Sequence, residues 1–597
     1  MRVPVRPEPG VHRPPAAARG ADAVKGRART WLVAGAVALV TAAVFLPALR
    51  NGFVDLDDQD NFLDNPMYRG FAPAQLRWML TTFHLGPWQP LSWLSLAADH
   101  ALWGLDPLGY HLTNLVLHAA SAALLFLLAR RLLLHAGLPG AAADTGAAVG
   151  ALLWAIHPLR VESVAWVTER RDVLSGVFFL LALLAYTLPP ERPGRLPAAL
   201  AASALALLAK ASTMVLPAVL VALDVYPLRR LGGRAGWLGP PARRVWGEKL
   251  WFVGLAAPVA LVAVVGQRVG GALLSLHEVP PARRLASAMY AIGFYLWKMV
   301  VPVSLRPMYE HPNGLAPTHP LALAGVATAL GVALLALVLR RRVPGVATAF
   351  VVYLAAVAPV LGLAAAGPQV AADRYTYLAA LGWSVLAGGL VAVAPGRPAL
   401  RLALAGAVLL CLGSLTVRQI RIWRDGPTLW SYTAAVDPTN AFAQLRLAEH
   451  VRRAGDLDGA IARVRESLRL SPWFGEAHYE LGTLLTAAGA LDEARAHFET
   501  ALRLNPPTAK RLTNYGLLLA RSGRPAEAIT QLRAALRLDP DLVGAHVNLA
   551  GVLAATGDLD GAAAELETAI RLDPADARLP AALARLRAAG AHAAGGD

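Results

Sequence analysis

The 597-residue chain is 56% hydrophobic and only 16% charged, with a formal net charge of +16 and a single cysteine. So small a charged fraction is unlike a soluble globular protein; the hydrophobicity excludes disorder, and the lone Cys411 excludes a disulfide scaffold or a Cys-x-x-Cys site. Residues 438–597 carry 18 Lys+Arg against 19 Asp+Glu, so the excess base lies in the apolar part, where it reads as membrane topology rather than nucleic-acid binding.

Residues 1–30 are rich in Pro, Ala and Arg without apolar periodicity, and are expected to form a disordered basic tail. Trp31 to Leu49 is an uncharged run long enough to cross a hydrocarbon core of about 30 Å. A signal peptide is the rival reading; the length of the run, the further spans and the lack of a clean cleavage site weigh against it. Further spans are predicted near 112–129, 146–160, 172–188, 196–210, 213–227, 250–266, 320–339, 343–363, 376–394 and 401–417, with 285–303 ambiguous. Arg130–Arg131, Arg229–Lys249 and Arg340–Arg342 should share the cytoplasmic side with the N-terminus. That requires 285–303, which contains Lys298, to be re-entrant or interfacial. The result is 11 spans, an inside N-terminus and an outside C-terminus, although Arg418, Arg421 and Arg424 after the last span favour the inside.

The C-terminal part is periodic. Pro438, Pro472, Pro506, Pro540 and Pro574 recur every 34 residues, as do Gly455, Gly489, Gly523 and Gly557, and Ala460, Ala494, Ala528 and Ala562. A 34-residue period with two helices per unit is the tetratricopeptide repeat (TPR) pattern. Small residues allow the paired helices to approach, glycine turns between them and proline ends the second. Four repeats and a capping helix over 438–590 are predicted, giving a concave binding surface without chemistry of its own. The fold class is all-α: a polytopic membrane helix bundle over 31–425, then a TPR α-solenoid.

There is no Walker loop, His-Glu-x-x-His or Gly-x-Ser-x-Gly motif. Candidate chemistry gathers at the outer ends of spans. The loop Asn51–Asn61 offers Asp55, Asp57, Asp58 and Asp60; like charges this crowded should raise a pKa or bind a cation. The spacing does not fit an EF-hand, because Asp60 and Pro66 stand where Gly and Glu are needed. The loop is either a solvated acidic turn or the source of a general base acting on an acceptor hydroxyl.

His157, Arg160, Glu162, Glu169, Arg170, Arg171 and Asp172 form a second cluster, read as a phosphate-binding site or as a salt-bridged turn between two helices. Lys210 either snorkels or meets a lipid-linked phosphate. Asp373, Arg374, Tyr375 and Tyr377 are a further candidate, with interfacial anchoring by the tyrosines as the alternative. His84 and Trp88 are additional polar and aromatic positions. His111, Asn114 and His118 share one helix face, where internal packing is the favoured reading and no third metal ligand is nominated.

Five segments in order resemble the transmembrane and TPR repeat-containing (TMTC) proteins and their bacterial relatives: Phe53–Asp58, Gln89–Trp93, Gly109–His118, His157–Trp166 with Glu169–Asp172, and Ala372–Leu378. The order of membrane part then TPRs also matches, so the resemblance runs from about residue 31 onward. It implies a GT-C glycosyltransferase fold akin to the protein O-mannosyltransferases, taking a sugar from a polyprenyl-phosphate donor to an acceptor outside the cytoplasm. Its acidic pair falls on Asp57 and Asp58, here preceded by Asp55 and Leu56.

The expected function is therefore an inverting, polyprenyl-phosphate-sugar-dependent membrane glycosyltransferase acting on a hydroxyl acceptor, with protein Ser/Thr among the candidates. Arg170, Arg171, Lys210 and Arg374 are expected at the donor phosphate, and His84, His157, Glu162, Asp172 and Tyr375 elsewhere in the pocket. The expected partners are the bilayer, the lipid-linked sugar and a polypeptide in the TPR groove, and not nucleic acid; no cofactor is demanded by the sequence. The Ala/Arg-rich composition points to a bacterial inner membrane, with a cytoplasmic N-terminus and periplasmic TPRs. The alternative is a membrane-anchored, non-enzymatic TPR scaffold, and a transporter is disfavoured because Lys298 and Asp224 are the main charges inside span cores.

Overall fold

The computed structural model describes residues 16–233, 236–271, 273, 275–276, 279–312, 314–363 and 369–594. Its contacts divide the chain into two compact units, Met1–Leu429 and Trp430–Asp597.

The first unit is a helical bundle. In chain order its helices are α1 Ala16–Phe45, α2 Pro73–Thr81, α3 Pro90–Trp103, α4 Pro107–His135, α5 Gly140–Ala155, α6 Val161–Ala165, α7 Arg170–Tyr186 and α8 Arg195–Ala209. There follow α9 Leu216–Val225, α10 Pro240–Val269, α11 Pro281–Val300, α12 Pro320–Leu339, α13 Gly345–Val357, α14 Thr376–Ala379, α15 Leu381–Val393 and α16 Pro398–Ile422. Proline opens seven of these helices, where its missing N–H costs nothing and its fixed φ suits the first turn. Asp106 caps α4 by accepting from the Leu108 N–H at 3.0 Å.

Among the described residues, five helices are long and apolar enough to cross a membrane: Gly26–Arg50, α4, α10, α12 and α16. A sixth candidate is the pair formed by Asp373–Ala379 and Leu381–Val393, bent by 60°. The other predicted spans fold as shorter helices, because proline and polar turns at 158, 187–194 and 226–227 cut the apolar runs. The ambiguous segment 285–303 is the 20-residue α11, which does not join the long apolar set. One expectation is corrected: residues 16–30, read as disordered, continue α1 backward as helix, as their Ala, Arg and Lys content favours, while residues 1–15 lie outside the described residues.

Close helix crossings rely on glycine. A Cβ placed on Gly388 of α15 would lie 2.1 Å from the Gly146 carbonyl oxygen of α5, and one on Gly150 would lie 2.6 Å from the Ser384 carbonyl oxygen. Asn51 Nδ2 donates to the Ile420 carbonyl oxygen at 3.2 Å and Gly52 N–H to that of Arg424 at 2.9 Å, gathering the ends of α1 and α16 beside the acidic loop. At the opposite end of the bundle, Asp224 accepts from Tyr186 Oη at 2.7 Å and pairs with Lys249 at 2.5 Å and Arg230 at 3.2 Å. The charge that looked isolated in a span is thus paired where α7, α9 and α10 meet.

The second unit is four helix pairs and a final helix. The pairs are α18 Ala441–Arg453 with α19 Leu457–Leu470, α20 Gly475–Ala488 with α21 Leu491–Leu504, α22 Ala509–Arg521 with α23 Pro525–Leu538, and α24 Val543–Ala555 with α25 Leu559–Leu572. They follow α17 Gly426–Val436 and precede α26 Arg578–Ala594. Gly455, Gly489, Gly523 and Gly557 all turn with φ between 71° and 91°, a left-handed conformation that glycine adopts without strain. Ala460, Ala494, Ala528 and Ala562 are fully buried at the crossing of each pair.

Candidate functional site

The acidic loop leaves a 3-10 turn, Leu46–Arg50, and folds back on itself through Asp58. One carboxylate oxygen of Asp58 accepts from the Val54 N–H at 2.9 Å; the other accepts from the Thr168 N–H at 3.2 Å and the Thr168 hydroxyl at 2.7 Å. Asn61 Nδ2 donates to the same Thr168 hydroxyl at 3.0 Å. Burial pushes the Asp58 carboxyl up to about 7, against these three donated hydrogen bonds and in concert with the neighbouring charge of Asp57. Asp55 and Asp57 stay half-buried and Asp60 is exposed. Beneath them Phe53 packs edge to face on Tyr110 and Phe62 on Tyr68, while Trp93 lies tilted against Tyr68, giving the loop an aromatic floor. His84 joins this floor against Trp78 and Trp93, with Nε2 3.1 Å from the Asp60 carbonyl oxygen.

Thr168 links the loop to a buried charge cluster that begins at the next residue. Glu169 accepts from Arg171 at 2.5 and 3.0 Å, and lies 3.3 Å from Lys210 and 3.2 Å from Arg374. Burial alone would raise the Glu169 carboxyl, but Arg171, Lys210 and Arg374 together hold it well below the usual carboxylate range. Glu162 takes the Arg374 backbone N–H at 2.8 Å and its guanidinium; Asp172 pairs with Lys210 and accepts from Ser163 Oγ at 2.9 Å. Arg374 also lies over the Trp166 and Tyr375 rings at 5.4 and 5.0 Å. Arg171 and Lys210 keep 17% and 16% of their side chains exposed, so two cations of the cluster present a face outward.

Arg374 arrives through a short antiparallel pair, Tyr309–Glu310 with Gln369–Ala371, followed by a 3-10 turn at Asp373–Tyr375. Tyr309 Oη donates to Asp373 at 2.9 Å, fixing that turn. His157 accepts at Nδ1 from the Leu159 N–H and donates from Nε2 to the Met299 carbonyl oxygen at 3.2 Å, so both its nitrogens serve the turn before α6.

The predicted residues divide accordingly. Arg171, Lys210, Arg374, Glu162 and Asp172 come together, with Tyr375 stacked on them. Asp58 adjoins them through Thr168, Asp57 is its neighbour in the chain, and His84 flanks the acidic loop. Arg170, expected with Arg171, faces the other way. It is fully enclosed, bonding Asp99 at 2.5 Å, Ser95 at 2.8 Å, the Tyr110 carbonyl oxygen at 2.9 Å and Asn114. Successive helical residues diverge by about 100°, so two neighbouring arginines address two different sites. Asn114 and His118 are spent on internal bonds, Asn114 to the Val164 carbonyl oxygen at 3.1 Å and His118 to Tyr377 Oη at 3.0 Å.

Sequence reasoning missed Asp99, the one carboxylate of α3, and Thr168, which carried no signal. Arg160, read in the sequence with the second cluster, is instead wholly buried, bonds Thr376 Oγ1 and sits against the Trp154 and Tyr377 rings at 5.8 and 5.6 Å. Among the described residues, no group of three or more His, Cys, Asp or Glu side chains is arranged to hold a metal ion.

Fold and site together describe an all-α membrane protein with a buried ionic cluster beside an acidic loop, followed by a TPR solenoid. Tetratricopeptide repeat models match residues 451–513 and 515–577. The chain is 36% identical over 151 residues to the Drosophila melanogaster protein O-mannosyl-transferase Tmtc1, covering 24% of this chain and 16% of that protein. It is 25% identical over 522 residues to human protein O-mannosyl-transferase TMTC1, covering 76% of this chain and 57% of that protein. Among solved structures it is similar to a TPR protein of Thermus thermophilus, with 23% identity, a TM-score of 0.25, and coverage of 30% of this chain and 94% of that one. The chain is a relative of the TMTC proteins. Its matches span from 16% to 57% of the length of these two curated relatives.

Proposed function

We propose that this chain is a membrane glycosyltransferase that moves a sugar from a polyprenyl-phosphate donor to a hydroxyl of a polypeptide, Ser or Thr, with inversion. The observation that carries the reading is the Asp58–Thr168 clamp, because it couples an acidic loop to a cluster holding three cations. A transfer of this kind needs a base for the acceptor proton and positive charge for the departing phosphate.

In the proposed step a carboxylate oxygen of Asp57 takes the acceptor proton. The acceptor oxygen bonds to the anomeric carbon as the bond from that carbon to the donor phosphate breaks, and the electron pair leaves on the phosphate. Attack from the face opposite the phosphate inverts the anomeric configuration. Arg171, Lys210 and Arg374 meet the charge that develops on the leaving phosphate. Asp58, held by three donors, positions the loop, and Arg170 braces α7 against α3 and α4. The names of the relatives, protein O-mannosyl-transferases, support a sugar donor and a protein acceptor.

In the same proposal the acidic loop lies on the outer face of a bacterial inner membrane, the N-terminus is cytoplasmic, and the TPR groove binds the acceptor or a partner outside the cytoplasm. The test is mass spectrometry of envelope proteins from cells carrying the wild-type chain, no chain, or the Asp57→Asn, Asp58→Asn double variant. Hexose on Ser or Thr present only with the wild type supports the reading. Equal modification by a folded double variant removes it.

A further inference from the structure

At the end of the bundle opposite the acidic loop, α1, α4 and α7 enclose an open groove of ≈ 560 Å³. The placement follows from the helix directions: the acidic loop joins the C-terminal end of α1 and packs on the N-terminal end of α4, whereas the groove lies at the other end of each. Its rim carries Arg27, Arg130, Arg131 and Arg192. Among the described residues one carboxylate answers them, Asp144, which pairs with Arg130 at 2.5 Å. Among the described residues, Arg27, Arg131 and Arg192 take part in no ion pair.

Arg131 is not free to reach outward into water. It is half-buried, and its Nη1 is tied to the Leu184 carbonyl oxygen at 2.5 Å and the Thr187 hydroxyl at 3.1 Å. Below the rim the wall is apolar: Leu127, Leu181, Leu184 and Leu188 run down it, and Trp31, 64% exposed, flanks the opening. Uncompensated guanidinium groups above a trough of leucine match a ligand that is anionic at one end and hydrocarbon at the other. Tryptophan at such a boundary is the usual interfacial anchor, and basic pockets between membrane helices are suited to acidic headgroups.

We propose that this groove binds an anionic phospholipid of the leaflet at this end, its headgroup phosphate among Arg27, Arg131 and Arg192 and an acyl chain along the leucines. A zwitterionic lipid brings its own cation to a rim that already holds unpaired cations. Free phosphate gains nothing from the apolar wall. The site is distinct from the proposed donor site, since it shares no residue with the Glu169 cluster and lies at the other end of α7.

The test uses the full chain purified in detergent and native mass spectrometry, titrating phosphatidylglycerol, phosphatidylcholine and inorganic phosphate. Arg27 and Arg192 are exposed and their side chains hold no other part of the fold, so Arg27→Gln with Arg192→Gln removes charge without removing packing. The expected result is preferential retention of phosphatidylglycerol, weakened about 30-fold by the double variant, with phosphatidylcholine unaffected and no displacement by inorganic phosphate. Equal retention of the two lipids, or undiminished retention of phosphatidylglycerol by the double variant, overturns the proposal. Displacement of the lipid by inorganic phosphate alone also overturns it, leaving a simple anion site. Substituting Leu181→Asn and Leu184→Asn supplies the second arm: loss of phospholipid binding is expected, and its retention contradicts the acyl-chain half of the proposal.

Discussion

Thr168→Val removes one oxygen from the link between the acidic loop and the ionic cluster while keeping the shape of the side chain. The lost hydroxyl donates to Asp58 at 2.7 Å and accepts from Asn61 Nδ2 at 3.0 Å. Both partners are buried, at 1% and 4% exposure, so water does not replace it. A hydrogen bond to a carboxylate contributes about 1.5–3 kcal/mol, and an unsatisfied buried amide costs about 1–3 kcal/mol. These overlap in one small network, so the combined effect is about 3 kcal/mol. Thr168→Ser keeps the hydroxyl and loses one methyl, roughly 1 kcal/mol. Hydrogen exchange of residues 54–61 and 166–172 in the detergent-solubilised chain reads the difference. The valine variant should exchange on the order of a hundredfold faster in both segments together, and the serine variant only slightly faster. Should the valine variant exchange like the wild type, or should only one segment loosen, the clamp does not couple the loop to the cluster.

The Asp58 carboxyl, raised to about 7 by burial, sets a pH dependence. The folded state holds this proton more tightly than the unfolded one, so the stabilisation is present below about pH 4 and is lost as pH rises through about 7. Over that range it is about 4 kcal/mol, and melting of the wild type should fall relative to Asp58→Asn between about pH 4 and pH 7. Arg170→Met leaves Asp99 buried and unpaired, so it should cost about 3–5 kcal/mol and yield little monodisperse protein on size exclusion. Lys210→Gln removes the cation paired with buried Asp172, so it should lower the melting temperature and, in the protein that folds, require more lipid-linked donor to reach half-maximal transfer. Gly388→Val drives side-chain atoms into the Gly146 carbonyl and should lower the melting temperature by the equivalent of at least about 1–3 kcal/mol, while Gly331→Val, whose Cβ meets nothing within 4 Å, should not.

The repeat unit was the most legible part of the chain, because a 34-residue period marks the same physical constraint at every turn and crossing. Gly455 and its equivalents do adopt positive φ, and Ala460 and its equivalents are the buried contacts. The long apolar runs were legible for the same reason: α4, α12 and α16 contain the predicted spans. Helices α2 and α3 were not, since their apolar residues alternate with Gln, Arg, Ser, Asp and His and show neither a span nor a clean stripe. The polar residues of α3 are where they are because Asp99 and Ser95 must reach Arg170.

For the candidate site, residue types were legible and directions were not. Arg170-Arg171 reads as one basic pair in sequence, but the helix points one guanidinium at Asp99 and the other at Glu169. Likewise Asp57-Asp58 reads as one acidic pair, yet the turn closed by Val54 buries Asp58 and leaves Asp57 half-exposed. That asymmetry is what gives the two carboxylates different proposed roles. Thr168 was invisible because a threonine among Val and Glu has no pattern; only its contact across 110 positions of sequence with Asp58 gives it meaning.

The central claim is tested most directly with purified full-length protein, a mannosyl-polyprenyl-phosphate donor and a Ser/Thr-rich acceptor peptide, comparing wild type with Asp57→Asn. The account predicts transfer by the wild type and a loss of about 10²–10⁴-fold in rate for the variant, with unchanged melting behaviour. Wild-type transfer that survives undiminished in Asp57→Asn would contradict it.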